Sequence, residues 1–304
     1  MGLRSFACVQ ALALASGVAP ALCAEVAVLK SSDVAAWRPT LDALRRGAAG
    51  HVYTEYDLRG DKAEADRVVA SLKGRSVIVL GMGPLAAQAA HEGVPELPLV
   101  FCMIQDPVRS GLAGAANTFG VSFTIPVKNQ LAAFRMVNPR GARIGVIYNA
   151  ENAGRQVQEA QKAASVVRLF LVEKPVQSDR DIPEALRALL RGADAVDALW
   201  IPPDPMLLSD DTRRFILSET LKAAKPVYSF SAALVSEGAL VSDGPDMSSI
   251  GEQLADLLSR AASGEKGKGE LVIPRAELVI NKKIADKLKI AISAEALKAA
   301  SRVF

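Results

Sequence analysis

Along this chain, small polar residues and glycines stand immediately after short apolar runs, in turns suited to holding a solute rather than reacting with it. In the first half these turns are Ser31-Ser32-Asp33, with Trp37 close behind, Gly81-Met82-Gly83-Pro84 leading into Leu85, and Gln105-Asp106-Pro107. In the second half they are Asn149-Ala150-Glu151-Asn152, Pro202-Pro203-Asp204-Pro205, Ser229-Phe230-Ser231 and Asp243-Gly244-Pro245-Asp246. Glycines without a Cβ let a carboxylate approach the backbone, and unpaired N–H groups at a helix start favour an anion. Asp204, fixed between prolines, is aimed to meet a cation, and Trp37 offers an aromatic platform. Each feature has an architectural reading beside the functional one. The glycine turn serves equally to pack a strand on a helix, Asp106-Pro107 and Asp204 serve as turn residues, and Trp37 serves as a lobe-edge aromatic.

Bond-breaking chemistry finds little support. The two histidines, His51 and His91, stand 40 residues apart, with no cluster of Cys, His or Asp around either. Zinc-ligand spacing is absent. No Gly-x-Ser-x-Gly elbow occurs, since the glycine turn carries Met82 where a nucleophile would stand. The same turn lacks the third glycine of a dinucleotide fingerprint and the Gly-Lys-Ser/Thr of a phosphate loop. Cys102 lies within the apolar run Leu99–Ile104 and reads as a buried thiol. The expectation is a binding protein that is not an enzyme and uses neither cofactor nor metal. An exported α/β hydrolase is the competing class and needs a histidine beside a nucleophile such as Ser231. An exported ligand sensor is the third.

The elements that would position these turns follow from composition and pattern. The 304 residues are 50% hydrophobic and 23% charged, an ordinary globular balance, and the net charge of +3 is too small to argue for nucleic acid. Arg4, an apolar stretch from Phe6, and Leu22-Cys23-Ala24 after Pro20 read as a secretory signal peptide over residues 1–24, cleaved after Ala24. A membrane anchor is the alternative, weakened by the short apolar core and by Pro20. Lipid attachment at Cys23 is another, opposed by the bulk of Leu22. The mature chain would keep one cysteine, Cys102, and so no internal disulfide.

From residue 25 onward, apolar runs and helical patterns alternate. Strands are expected at Val26–Lys30, His51–Asp57, Ser76–Leu80, Pro98–Ile104 and Thr118–Thr124, and the pattern restarts with a helix opened by Pro126. Further strands fall at Arg143–Asn149, Arg168–Glu173, Ala198–Ile201, Pro226–Phe230, Ala239–Ser242 and Leu271–Ile280. Such alternation calls for α/β architecture with parallel sheets covered on both faces. About ten strands exceed a comfortable single sheet, so two doubly wound lobes are expected, with a break near Gly120–Pro126. Ligands in such sheets bind beyond the strands' carboxyl ends, where strand order reverses.

The turns also carry a resemblance. The stretches Val79–Ala87 (VLGMGPLAA), Leu99–Gly111 (LVFCMIQDPVRSG), Asn117–Ser122 (NTFGVS), Arg143–Asn149 (RIGVIYN), Asp197–Pro205 (DALWIPPDP), Pro226–Leu240 (PVYSFSAALVSEGAL) and Leu278–Leu288 (LVINKKIADKL) run in one order over residues 25–304. In that order they resemble the ABC-transporter substrate-binding family of tryptophan/tyrosine type, with the periplasmic-binding type I fold. Two positions depart from the family's pattern: Met82-Gly83-Pro84 replaces a small hydroxyl-bearing residue, and Gln105 precedes Asp106 where serine is usual.

The resemblance implies two lobes joined by three crossovers, near Gly120–Pro126, Ala239–Asp243 and Leu271–Val279. The lobes would be residues 25–122 plus 244–272 and residues 123–243 plus 273–304. It further implies a periplasmic monomer that closes over a small amino-acid-like or carboxylate solute and docks on the membrane permease of an ABC transporter. The expected site is Ser31, Ser32, Trp37, Gly81, Met82, Gly83, Leu85, Gln105 and Asp106 from one lobe. Asn149, Glu151, Asp204, Ser229, Phe230, Ser231 and Asp243 come from the other. The solute's carboxylate would take N–H groups around Gly81–Leu85 with Ser31 or Ser32, and its ammonium Asp204, Glu151 or Asp106. Trp37, Met82 and Phe230 would pack on its side chain.

Overall fold

A computed structural model describes residues 23–304. The expected signal peptide lies outside the described residues except for Cys23 and Ala24. Strands alternate with helices throughout. In the first sheet the strands are β1 (Glu25–Lys30), β2 (Val52–Asp57), β3 (Ile78–Met82), β4 (Leu99–Cys102) and β5 (Thr118–Val121). The second series is β6 (Arg143–Tyr148), β7 (Phe170–Pro175), β8 (Ala198–Ile201), β9 (Val227–Ser229) and β10 (Val241–Pro245), followed by β11 (Leu271–Val272), β12 (Ala276–Ile280) and β13 (Arg302–Val303). The helices are α1 (Arg38–Gly47), α2 (Lys62–Leu72), α3 (Pro84–Gly93), α4 (Val127–Val137), α5 (Ala150–Val166), α6 (Ile182–Arg191), α7 (Asp210–Lys222), α8 (Ala232–Glu237), α9 (Met247–Ala262), α10 (Lys282–Lys287) and α11 (Ala294–Ala299).

Two sheets result. One has the order β11-β5-β4-β3-β1-β2 and the other β13-β12-β10-β9-β8-β6-β7. All pairings are parallel except β10 with β12. Each sheet is buried on both faces, which is why its strands read as unbroken apolar runs. In β1, Val26 and Val28 join one core while Ala27 and Leu29 join the core on the opposite face. In β8, Ala198 and Trp200 are divided in the same way from Leu199 and Ile201.

The chain passes between the sheets three times. It leaves the first sheet after Val121 and enters α4, whose Leu131, Phe134 and Val137 pack in the second-sheet core. It returns after β10, because α9 lays Ile250, Leu254 and Leu258 into the first-sheet core. The expected position of this return, near Ala239–Asp243, is too early: β10 stays paired with β12 as far as Pro245 opposite Ala276. The single strand expected over Leu271–Ile280 is two strands. Leu271–Val272 pairs with β5 in the first sheet, whereas Ala276–Ile280 pairs with β10 in the second. Pro274 between them cannot donate a ladder hydrogen bond, and the chain crosses there.

Capping explains several helix starts. Asp61, Asn149, Ser209, Asp246, Asn281 and Ser293 each accept a backbone N–H from the helix they open. Asp61 and Glu64 have the spacing of a capping box, but only the Asp61 half forms, since Glu64 pairs with Arg67 instead.

Candidate functional site

Strand order reverses at β1 in one sheet and at β6 in the other, so the crevices open beyond the carboxyl ends of β1 and β3, and of β6 and β8. At the first crevice Ser31 follows β1, and its backbone N–H donates to Met82 O at 2.9 Å. Its hydroxyl accepts the Ala86 N–H at 3.0 Å and so caps α3, whose own N-cap residue is Gly83. Gly83 has φ +86°, and a Cβ there would lie 2.7 Å from Ser31 Oγ and 3.1 Å from the Trp37 ring. Hydroxyl, glycine and indole therefore form one packed corner.

Two neighbours are taken up by architecture. Gly81 lets β3 approach α3, where a Cβ would stand 2.8 Å from Ala87 Cα. Met82 is fully buried in the first-sheet core, so its side chain does not wall the crevice as expected. Leu85 is partly buried against that sheet's other core. Ser32 is half-buried, beside Asp33, whose carboxyl is held below its ordinary range by the Lys30 ammonium at 2.8 Å.

At the second crevice Asp204 departs from its expected role. It is fully buried, and its carboxylate accepts Asn149 N–H at 2.7 Å, Asn152 Nδ2–H at 2.9 Å and Met206 N–H at 3.0 Å. These donors fix the start of α5 to the loop after β8, so the carboxylate is committed within its own lobe. Asn149 is equally committed, capping Glu151 and Asn152 and donating to Val176 O. Ser229 Oγ accepts from Ser231 N–H, and Ser231 Oγ caps α8. Asp243 is buried in β10, and burial pushes its carboxyl up to about 6.

The lobes face one another across a cavity of about 440 Å³. Gln105, Asp106 and Arg109, from the loop after β4, oppose Ala150, Glu151, Asn152, Arg155 and Gln156 of α5. Two contacts cross it. Arg155 Nη2 lies 3.1 Å from Asp106 Oδ1, and Arg109 Nη1 donates to Glu151 O at 2.9 Å. Asp106 Oδ1 also accepts the Arg109 backbone N–H, which fixes the loop that carries both charges.

A second, smaller cavity of about 60 Å³ adjoins it at the hinge, with Arg155 and Gln156 lining both. Phe123–Val127 and Pro245 bring two crossover segments to its wall, opposite Gln130, Trp200, Pro203 and Phe230.

Of the expected residues, then, Gln105, Asp106, Glu151 and Phe230 line the interlobe cavities, and Ser31, Trp37 and Gly83 form a separate corner. Arg109, Arg155, Gln156, Gln130 and Trp200 were not expected. Gln130 had a legible signal: it is a polar residue on the buried stripe of α4, beside Val127, Leu131 and Phe134. Arg109 lies within three residues of Asp106, but no pattern in the chain points Arg155 toward it. Both histidines sit at the opposite end of the first sheet, His51 accepting the Ala24 N–H before β1 and His91 in the last turn of α3.

Two doubly wound sheets, three crossings and a polar cleft at the switch points define a two-lobed protein of the periplasmic-binding type I fold. The chain belongs to the ABC transporter substrate binding protein family, whose model matches residues 50–304. It is 25% identical over 215 residues to a tyrosine-binding protein of Clostridioides difficile (strain R20291), covering 67% of this chain and 60% of that relative's length.

Among solved structures, it is similar to an ABC domain in complex with L-Trp from Streptococcus pneumonia. That similarity has a TM-score of 0.72 and 24% identity, over 93% of this chain and 100% of the other. It is also similar to the ligand-free, open structure of a substrate binding protein with adhesive properties from Clostridium difficile, at a TM-score of 0.79 and 17% identity, over 92% and 99%. These likenesses establish the fold.

Proposed function

We propose that the protein is the extracytoplasmic solute-binding component of an ABC importer and binds a small amino-acid-like solute in the interlobe cleft. One observation carries the reading: both lobes place opposite charges on a single cavity, Asp106 with Arg109 from one side and Arg155 from the other. A zwitterion presents the same two charges. Its ammonium replaces Arg155 at Asp106, and its carboxylate replaces Asp106 at Arg155, with Arg109, Gln105 and Glu151 at the rim. The similarity to a tyrosine-binding protein of C. difficile supports an amino acid as the solute class.

In this reading the lobes are residues 25–122 plus 246–272 and residues 123–245 plus 273–304, the expected boundary moved past Gly244 and Pro245 because both remain paired in the second sheet. Hinge rotation closes them over the solute, and the closed monomer docks on a membrane permease. Residues 1–24 direct export. Each charge-assisted contact contributes roughly 1.5–3 kcal/mol, so a few of them with some apolar burial reach micromolar affinity, about −8 kcal/mol.

Calorimetric titration of the purified protein with a panel of L-amino acids and simple carboxylates tests the proposal. One-to-one binding at micromolar concentration or tighter is expected for at least one member. Failure of every member to bind below the millimolar range contradicts it.

A further inference from the structure

The hinge cavity contains a feature that a charge-reading cleft does not need. Among the described residues five side-chain polar atoms are buried without a hydrogen-bond partner: Gln130 Oε1, Gln156 Oε1, Trp200 Nε1, Ser242 Oγ and Gln253 Oε1. The first three belong to residues lining this one cavity. A buried polar group without a partner is costly and uncommon, so three around one small space point to a function there.

The orientation of Gln130 is fixed. Its Nε2 donates to Ile125 O at 3.0 Å, and turning the amide over would set two oxygens against each other. Its Oε1 is therefore the free atom, an acceptor. Trp200 Nε1 is a donor only. Gln130 is 5% exposed and Trp200 1%, so neither recovers its lost bond from bulk water. Much of the surrounding wall is apolar, built from Phe123, Ile125, Pro126, Pro203, Phe230 and Pro245, and Thr124, Arg155 and Glu159 also line it.

We propose that Gln130 and Trp200, with Gln156 beside them, are specificity-determining residues that read a neutral group able both to donate and to accept a hydrogen bond, a hydroxyl or a carboxamide, on the solute held in the adjoining cleft. The proposal rests on the reading of that cleft as an amino-acid site. The solute's charged head lies among Asp106, Arg109 and Arg155, and its side chain extends past Arg155 and Gln156 into the hinge cavity. There the polar tip donates to Gln130 Oε1 and accepts from Trp200 Nε1. A hydrocarbon tip leaves both atoms stranded, and a carboxylate tip loses hydration to the apolar part of the wall while facing the like charge of Glu159. Selectivity is thereby tied to closure, because two crossover segments form part of the same wall.

The test is calorimetric titration of the protein with L-amino acids that differ at the tip alone. Tyrosine against phenylalanine isolates a hydroxyl. Asparagine against leucine isolates a carboxamide at nearly constant shape, and aspartate adds a charge. In at least one pair the polar member is expected to bind about tenfold or more tighter than its hydrocarbon partner, with aspartate weaker than asparagine. In Gln130→Met, and separately in Trp200→Phe, the preference is expected to fall to about threefold or less, with thermal unfolding of the solute-free variants showing that they are folded. Binding of both pairs without discrimination overturns this inference and leaves the cleft assignment standing, as does a preference that survives in the folded variants. Failure of all five to bind overturns this inference, and the amino-acid reading falls with it only where the wider panel also fails.

Discussion

Three N–H donors, from Asn149, Asn152 and Met206, converge on the buried carboxylate of Asp204. Replacing that residue by alanine strands all three, so Asp204→Ala is expected to lower unfolding stability by about 3 kcal/mol or more in a urea titration. The same variant should retain solute affinity wherever it remains folded, since Asp204 does not line the cleft. Asp243 has the opposite character: its buried carboxyl is raised from 3.8 to about 6 by burial. Between about pH 4 and pH 6 the folded state holds this proton and the unfolded chain does not, so its contribution to stability declines as pH rises through that window. Asp243→Asn is therefore expected to match the wild type near pH 4 and to exceed it above pH 6, by on the order of 3 kcal/mol. Thermal unfolding across pH 4–8 reads the difference, and an equal offset at every pH contradicts it.

Helix α9 holds the second crossover to the first lobe by lying against α1. Thr40 Oγ1 donates to Met247 O at 2.7 Å, and at Gly251 an added Cβ would stand 2.2 Å from Thr40 O. Gly251→Ala should push the helices apart and cost about 2 kcal/mol, seen as a lowered urea midpoint with little change in slope. Helices and strands of this kind were legible in the sequence because burial on both faces writes continuous apolar runs, and most helix starts carry a capping residue. The division of Leu271–Ile280 between two sheets was not legible, because hydrophobicity records burial and not which sheet a strand joins. Short terminal β13 and the one-and-a-half turns of α8 carry too few residues to establish a period. At the site, turns beyond strand ends led to Asp106, Glu151 and Phe230, which line the interlobe cavities. Met82 and Asp204 misled because a residue at a strand end can face inward as readily as outward, and only packing decides. Arg155 was invisible, one charge among many on a solvated helix until the fold sets Asp106 against it.

Across the whole molecule, the Asp106–Arg155 and Arg109–Glu151 contacts are the polar clasp between lobes. Both members of the ion pair are partly exposed, so it contributes about 0–1 kcal/mol and does not by itself hold the lobes shut. In the proposed mechanism, solute supplies the remainder through charges buried on closure. Arg155→Ala is accordingly expected to leave unfolding stability nearly unchanged while weakening solute binding about tenfold or more, measured by calorimetry at constant pH and salt. Solution X-ray scattering during titration with a binding amino acid tests the hinged trap most directly. The scattering profile should contract with added solute and level off at one equivalent. An unchanged profile at saturation would contradict closure around the solute.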